Sequence, residues 1–272
     1  MWVYFLFCWA SRLLQHKQGA NYLIVVTVPA YNESKNLQKC VELLLKETSQ
    51  LGEDFRIVIS EDGSTDGTDQ IAQKLQCMYP QVIHLHSPQK LGKGLALKRA
   101  FNEVEADIYA FVDCDLATDM KFFPQLINLI REGNDLALGS RYIDGAKIHR
   151  AVLRDVSSRL YNMFIGVLFR DNVFDHQIGF KAFSNRLIKE ILNDCESKGW
   201  FWDTEIIVRS KNSNYRIVEF PVEWSEKRNG SSHLRMVINV GIQNIIGIIR
   251  LVSHPTKKGN QHSLKGSYSS LQ

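Results

Sequence analysis

Two aspartates lie two residues apart, directly after a short apolar stretch at 108–112. An apolar run of this length that ends in acids is typical of a buried strand reaching the edge of its sheet. Asp113 and Asp115 would point to the same side if that strand continued through them. Carboxylate oxygens suit Mg²⁺ or Mn²⁺, which bind through one or two carboxylates together with substrate phosphates. A divalent metal site is one interpretation, and a solvated acidic turn is the other.

Three polar loops follow predicted strands, and their side chains could form one site. These loops are 29–33, 61–64 and 113–115. In open α/β sheets ligands bind beyond the carboxyl ends of the strands, so we expect the loops to lie close together. Their acids can accept hydrogen bonds from a ribose or a base, although Asp62 and Ser64 could equally cap the following helix. A further stretch, 91–94, places Lys93 between two glycines at a predicted helix start, which is a suitable anion site.

The elements that must position these loops alternate along the first half of the chain. Strands are predicted at 23–28, 55–60, 82–86, 109–112 and 135–140, and helices at 37–48, 65–78, 94–104 and 123–132. Successive strand–helix units indicate a doubly wound, mostly parallel α/β sheet. Beyond Arg141 the pattern changes to helices at 156–169, from 186 and at 206–210, with strands at 177–184 and 215–221.

Two apolar segments could contact a membrane surface. Residues 1–14 are too short to span a bilayer, so we interpret them as an interfacial anchor or as a helix packed on the core. Residues 235–252 are predicted to form a helix on which Asn239, Gln243 and Arg250 share one stripe. This pattern favours an amphipathic membrane-surface helix, with a core helix as the alternative. We divide the chain into an anchor segment (1–20), a main domain (21–234), the interfacial helix (235–252) and a disordered tail (253–272).

The composition restricts the partners and the compartment. Of the 272 residues, 44% are hydrophobic and 23% are charged, as in globular proteins, and a net charge of +4 does not favour a nucleic-acid binder. The five cysteines are scattered singly, so neither zinc nor a disulfide framework is predicted. Because single cysteines fit a reducing compartment, we expect peripheral attachment to the cytoplasmic face of a membrane.

Four motifs in order resemble the family 2 glycosyltransferases, which have the GT-A fold. They are VPAYNE at 28–33, EDGSTDGT at 61–68, KLGKG at 90–94 and DCD at 113–115, and the resemblance covers residues 22–234. A second set is similar to the polyprenyl-phosphate hexose synthases, which include dolichyl-phosphate mannose and dolichyl-phosphate glucose synthases. This set comprises GSRY at 139–142, Arg154, Ser158, DHQIGFK at 175–181, WDTE at 202–205 and RNGSS at 228–232. DHQIGFK favours glucose and KLGKG favours mannose, so the sugar stays open.

The resemblance implies a metal-dependent, inverting transfer of a hexose from a nucleotide sugar, GDP-mannose or UDP-glucose, to a polyprenyl (dolichyl) phosphate. Asp113 and Asp115 would hold Mg²⁺ or Mn²⁺, which stabilises the charge on the leaving diphosphate. The nucleotide sugar would be bound by Pro29, Tyr31, Glu33, Asp62, Lys93, Asp113 and Cys114. The acceptor phosphate would be held by Arg141, Arg154, Ser158 and Arg228. An arginine fork suits phosphate better than a lysine does.

Two other functions stay open. A phosphate acceptor has a second pKa of about 6, so it is largely anionic at neutral pH and needs no strong base. A family 2 transferase that acts on a hydroxyl of a polysaccharide or a lipid-linked oligosaccharide would need a carboxylate base. Asp203 is the candidate for that base, or else it caps the helix that starts at Thr204. The remaining hypothesis is a nucleotide-sugar-binding module without activity.

Overall fold

The computed structural model describes residues 22–227 and 233–253. The predicted anchor segment, the tail after residue 253 and Arg228 lie outside the described residues.

A seven-stranded sheet lies at the centre of the protein, beside a small two-stranded sheet. The strands are β1 (Leu23–Ala30), β2 (Asp54–Glu61), β3 (Val82–Leu85), β4 (Ile108–Val112), β5 (Leu136–Ser140), β6 (Lys147–His149), β7 (Phe180–Ser184), β8 (Ile217–Pro221) and β9 (Glu223–Ser225). The large sheet has the order β3-β2-β1-β4-β7-β5-β8, and β6 pairs with β9. β7 runs antiparallel to both of its neighbours, whereas the other described pairs are parallel. The predicted mostly parallel α/β fold is confirmed.

Helices pack on both faces of the large sheet. The described helices are α1 (Leu37–Ser49), α2 (Thr68–Met78), α3 (Lys93–Glu103), α4 (Phe123–Arg131), α5 (Val152–Phe169), α6 (Asn185–Ile191), α7 (Trp202–Asn212) and α8 (His233–Ser253). Of these, α1 to α4, α6 and α7 contact strands of this sheet. α1 contacts α2 and α4, whereas α7 contacts α3 and α6, so these helices form two separate layers. The central strands β4 and β5 are buried throughout, and the buried parts of β1 and β2 are rich in β-branched residues, such as Val25, Val26 and Ile57.

The second half of the chain differs from the predicted pattern. α5 begins at Val152 rather than at 156, α7 begins at Trp202, and β7 is limited to Phe180–Ser184. The sequence gives no sign that β7 is antiparallel, because hydrophobic periodicity carries no information on strand direction. β6 and β9 have three residues each, which is too short for a recognisable alternation.

A separate apolar cluster joins α5, the start of α7 and α8. It is formed by Ile165, Phe201, Val208 and Leu251. Elsewhere the two long helices expose apolar side chains, which are Val152, Val156, Leu160, Met163, Phe164, Val167 and Leu168 of α5 and Ile245, Ile246, Ile249 and Val252 of α8. α8 therefore packs on the protein through one face, as a core helix does, and leaves an apolar face uncovered, as an interfacial helix does. Within the described ranges, no helix is both long and apolar enough to cross a bilayer.

Candidate active site

A cleft of about 410 Å³ opens where the loops after β1, β2 and β4 meet. It is lined by Pro29, Ala30, Tyr31, Glu33, Asp62, Lys90, Gly92, Lys93, Ala96, Asp113, Cys114, Gly199, Trp200 and Gln243. All seven residues that the sequence assigns to the nucleotide sugar are in this lining. The parallel strands bring the loops together because their carboxyl ends share one edge of the sheet. The role of these residues in binding stays a prediction.

The DCD motif forms a turn and not an extension of β4. β4 ends at Val112, the Leu116 amide donates to the Asp113 carbonyl oxygen over 3.3 Å, and Leu116 has a φ of +52°. The strand therefore does not continue through Asp113 and Asp115, so the condition under which the two carboxylates would share one side is not met. One oxygen of Asp115 accepts a hydrogen bond from the Ala117 amide over 3.1 Å. Two hard carboxylates in one turn beside the cleft still fit Mg²⁺ or Mn²⁺, which take their other ligands from water and substrate phosphates.

Four charged groups alternate in sign from the cleft into the core. The Lys93 ammonium lies 2.8 Å from an Asp113 oxygen and 2.9 Å from an Asp203 oxygen. The other oxygen of Asp203 lies 2.9 Å from the Lys181 ammonium. Burial alone would lower the pKa of Lys93, but the charges of Asp113 and Asp203 raise it well above its usual value. Burial lowers the pKa of Lys181, although Asp203 opposes this. The negative charges of the two carboxylates therefore balance the positive charges of the two ammonium groups.

Asp203 is part of this charge network and does not cap a helix. It lies in the first turn of α7, is 1% exposed, and both of its oxygens contact ammonium groups. The helix-cap interpretation is therefore wrong. Both carboxylate oxygens are occupied by ammonium groups, and Asp203 does not line the cleft. The geometry gives no support to Asp203 as a base.

Asp62 positions the loop that precedes α3 and does not cap α2. Its two oxygens accept hydrogen bonds from the amides of Leu91 over 2.5 Å and Gly92 over 3.0 Å. Burial raises the pKa of Asp62, whereas the two amides oppose that change. Gly92 has a φ of +96°, and a Cβ there would lie 2.5 Å from the Lys198 carbonyl oxygen, so only glycine fits.

A second cavity, of about 370 Å³, contains three arginines in its lining. It is lined by Arg141, Tyr142, Ile143, Ala146, Ile148, Arg150, Val152, Asp155 and Arg159. Arg141 donates two hydrogen bonds of 2.7 Å to the two oxygens of Asp175. Burial alone would lower the pKa of Arg141, but the charge of Asp175, with a contribution from Asp113, raises it. The Arg141 and Arg150 guanidiniums lie 5.1 and 5.3 Å from the centre of the Trp224 ring. Trp224 pairs with Thr118, three residues after the DCD motif, so this arginine cavity lies near that motif.

Arg154 and Ser158 are the other described residues that were predicted to bind the acceptor phosphate. Both already contact side chains of the protein. The Arg154 guanidinium pairs with the Glu226 carboxylate, and the Ser158 hydroxyl accepts a hydrogen bond of 2.9 Å from Arg150. Neither residue lines the arginine cavity, whereas Arg150 and Arg159 do. Arginines therefore cluster near the start of α5. Of the residues predicted to bind the acceptor phosphate, only Arg141 lines the cavity among those described, and Arg150 and Arg159 are additional.

Several residues that line the two cavities were not predicted from the sequence. They are Lys90, Trp200 and Gln243 in the cleft and Arg150 and Arg159 in the second cavity. Lys90 could have been found, because it belongs to the KLGKG motif, and its Nζ lies 3.6 Å from the centre of the Tyr31 ring. Gln243 lies on the predicted polar stripe of α8, but only the fold brings that stripe against Gly199.

Comparison with known proteins identifies the family. Residues 25–194 match the sequence model described as Glycosyl transferase family 2. The chain belongs to this family. This family 2 chain is 37% identical over 229 residues to the glycosyltransferase AglD of Haloferax volcanii, covering 83% of the chain and 37% of AglD. It is 29% identical over 227 residues to the dolichyl-phosphate beta-glucosyltransferase ALG5C of Trichomonas vaginalis, covering 79% of the chain and 67% of that protein. It therefore spans little more than a third of the length of AglD.

Solved structures agree with the fold of this family 2 chain. Glucosyl-3-phosphoglycerate synthase from Mycobacterium tuberculosis, in complex with Mn²⁺, uridine-diphosphate and glucosyl-3-phosphoglycerate, matches with a TM-score of 0.65 and 21% identity over 89% of this chain and 82% of that chain. The same enzyme with Mg²⁺ and uridine-diphosphate gives a TM-score of 0.66 and 20% identity over 90% and 84%. At this level of identity, the likeness establishes the GT-A-type fold.

Proposed function

We propose that this family 2 member transfers a hexose from a nucleoside-diphosphate sugar to a polyprenyl phosphate, such as dolichyl phosphate, with inversion at the anomeric carbon. The main support is the combination of an acid-edged cleft, an arginine-lined cavity and exposed apolar helix faces. These features suit a diphosphate donor and an acceptor that has a phosphate head and an apolar tail. The similarity to a dolichyl-phosphate beta-glucosyltransferase favours UDP-glucose over GDP-mannose.

The donor would bind in the cleft. Pro29, Tyr31, Glu33 and Asp62 would contact the nucleoside, and Cys114 and Lys93 line the same cleft. Asp113 and Asp115 would hold Mg²⁺ or Mn²⁺. When bound, that ion offsets the charge that develops on the leaving diphosphate. Lys93 fixes the orientation of Asp113 through their ion pair of 2.8 Å.

The acceptor phosphate requires orientation more than activation. One of its oxygens, anionic at neutral pH, would attack the anomeric carbon while the bond from that carbon to the diphosphate breaks. Arg141, Arg150 and Arg159 would orient the phosphate, with Arg154, Ser158 and Arg228 as further predicted members of the site. The two hydrogen bonds from Arg141 to Asp175 hold this guanidinium in place before the acceptor binds.

The lipid tail would reach the site from a membrane on which α5 and α8 rest. Ile165 of α5 and Leu251 of α8 belong to one cluster, so the two helices are neighbours. Phe164, Val167 and Ile249 are 54%, 75% and 60% exposed, and apolar surface of this extent marks an interaction site. The described cysteines are free, which suits the cytoplasmic face of the membrane.

Matched incubations test this function. The protein would receive labelled UDP-glucose, GDP-mannose or UDP-GlcNAc with Mn²⁺ and either dolichyl phosphate or dolichol, followed by lipid extraction. We expect UDP-glucose to give labelled lipid when dolichyl phosphate is present and none when dolichol replaces it. Labelled lipid from GDP-mannose instead would identify the sugar as mannose. Transfer to dolichol would support the hydroxyl alternative. Binding of a nucleotide sugar without transfer to any acceptor would support the inactive module.

A further inference from the structure

Four potential metal ligands meet at the edge of the sheet that β3 forms. They are Glu61 at the end of β2, Asp69 in the first turn of α2, and His84 and His86 on and just after β3. One ligand atom from each residue lies within 4.8 Å of the other three. Among the residues that the structure describes, no other group of three or more His, Cys, Asp or Glu side chains converges in this way. None of the four lines the cleft or the arginine cavity.

The distances between the ligand atoms suit a small four-coordinate ion. His86 Nδ1 lies 2.7 Å from Glu61 Oε2 and 3.0 Å from Asp69 Oδ1, and His84 Nε2 lies 3.4 Å from Asp69 Oδ1. In a tetrahedral zinc site with bonds of about 2.0–2.1 Å, neighbouring ligand atoms are roughly 3.3 Å apart. The observed separations lie on both sides of that value, so small side-chain movements would complete the site.

His84 provides an independent indication of a ligand. Its side chain is 8% exposed, and its Nε2 faces Asp69 Oδ1 at 3.4 Å without the alignment of a hydrogen bond. Buried polar atoms nearly always have a hydrogen-bond partner, so this nitrogen is an exception that a bound cation would explain.

The surrounding hydrogen bonds hold the ligands without using their coordinating atoms. Glu61 Oε1 accepts a hydrogen bond of 2.5 Å from the Ser64 amide, which leaves Oε2 facing His86. Arg99 donates to the carbonyl oxygens of Glu61 over 3.1 Å and His86 over 3.1 Å, and so joins the ends of β2 and β3. Partners of this kind orient metal ligands in proteins.

We propose that Glu61, Asp69, His84 and His86 bind a divalent transition metal of the zinc type. Two imidazoles suit Zn²⁺ rather than Mg²⁺, and two carboxylates balance its charge. The ion would join β2, α2 and β3, and it would stabilise the segment that begins at Asp62 on the cleft wall. The scattered cysteines predict no zinc site, and this cluster contains no cysteine and is built from three separate elements. None of the four ligands lines either cavity of the proposed transfer site.

Zinc counting in matched variants tests this proposal. Metal-free protein would be dialysed against Zn²⁺ with excess Mg²⁺, which would occupy the hard carboxylate pair of the DCD motif, and bound zinc would be measured by elemental analysis. We expect one zinc per chain in the wild type, in Asp115→Asn and in His149→Ala, which alters an exposed histidine of β6. We expect at least tenfold weaker binding in His84→Ala and His86→Gln. Because His86 is 49% exposed, His86→Gln should fold even if His84→Ala does not.

Thermal unfolding and cobalt absorption supply readouts that do not depend on activity. Zn²⁺ should raise the Tm of the wild type and of Asp115→Asn but not of His86→Gln, since a ligand that binds only the folded state stabilises it. Co²⁺ in place of Zn²⁺ should give the visible absorption of a four-coordinate ion. Absence of bound zinc in the wild type, or unchanged zinc binding in His86→Gln, would overturn the proposal.

Discussion

Lys93 lies at the start of α3 between two glycines. The close approach of α3 to the segment before α7 explains why glycines flank it. A Cβ at Gly94 would lie 2.3 Å from the Ser197 carbonyl oxygen, so the glycines let α3 approach the segment before α7. That approach brings the Lys93 ammonium to Asp113 and Asp203. The sequence indicated an anion site at this helix start, but the lysine already has two carboxylate partners. The ion pair of 2.8 Å holds the Asp113 carboxylate, and a contact of Lys93 with the nucleotide sugar stays a prediction.

The first prediction concerns the metal motif. Asp115→Asn should abolish sugar transfer while leaving the thermal unfolding curve almost unchanged, because Asp115 is only partly buried in a turn. Mn²⁺ should strengthen nucleotide binding to the wild type and have little effect on the variant, as measured by calorimetry with and without Mn²⁺. Normal transfer by the variant in buffer treated with EDTA would show that Asp115 holds no metal.

The second prediction concerns the buried charges. Asp203→Asn leaves Lys181 and one side of Lys93 without a carboxylate, and breaking a buried ion pair costs about 3–5 kcal/mol. Chemical denaturation should show a loss of this size. The control is Asp144→Asn, which alters an exposed acid and should change the free energy of unfolding by less than about 0.5 kcal/mol. A stable but inactive Asp203→Asn would instead favour a catalytic base.

The third prediction concerns the arginine cavity. Arg150→Ala should raise KM for the polyprenyl phosphate about tenfold or more, since hydrogen bonds to charged groups contribute about 1.5–3 kcal/mol. The KM for the nucleotide sugar should stay within about twofold. Arg154→Ala should have a similar selective effect if it acts on the acceptor, and an equal loss for both substrates would argue against that role. The control is Arg131→Ala, which removes a pair with Glu53 outside both cavities.

At the level of elements, α8 rests on the protein through a glycine. A Cβ at Gly247 would lie 2.1 Å from the ring of Phe201, which is buried, whereas a Cβ at Gly241 would meet nothing within 4 Å. The two glycines belong to the same helix, so they form a matched pair for testing how closely the helix must approach.

The fourth prediction uses this pair. Gly247→Ala should destabilise the docking of α8 by about 1–3 kcal/mol, because overpacking forces the ring or the helix to move. Gly241→Ala should stabilise the helix by up to about 1 kcal/mol, because alanine has the higher helix propensity. Thermal unfolding and protease cleavage within α8 would measure both effects. Equal stabilisation by the two substitutions would mean that α8 does not pack on Phe201.

For the whole molecule, the exposed faces of α5 and α8 give a prediction about membranes. Replacing Phe164, Val167 and Ile249 by serine should weaken binding to vesicles at least tenfold, since each fully buried apolar side chain contributes about 1.5–3 kcal/mol. Sedimentation with liposomes would measure this. Met78→Ser is the control, because Met78 is 51% exposed but lies on α2. Equal sedimentation of the triple variant and the wild type would exclude these helices as the contact.

The sequence predicted the first half of the molecule better than the second, for physical reasons. Local strand–helix units have short connections, so periodicity and strand-end loops were enough to gather Tyr31, Asp62 and Asp113 around one cleft. The contacts that escaped prediction join residues distant in sequence. Asp203 meets Lys93 and Lys181 only through tertiary packing, and Arg154 meets Glu226 across 72 residues. Pattern alone carries no information on such pairs.

The position of β7 also determines when the sheet can form during synthesis. β1 to β4 pair with one another, but the hydrogen-bonded neighbours of β5 are β7 and β8, both of which follow it in the chain. A nascent chain that has left the ribosome only as far as residue 179 therefore has four adjacent strands and an unpaired fifth. Exposed strand edges are prone to aggregate. We expect the early half to fold first and residues 136–140 to need protection by chaperones until 180–184 emerges.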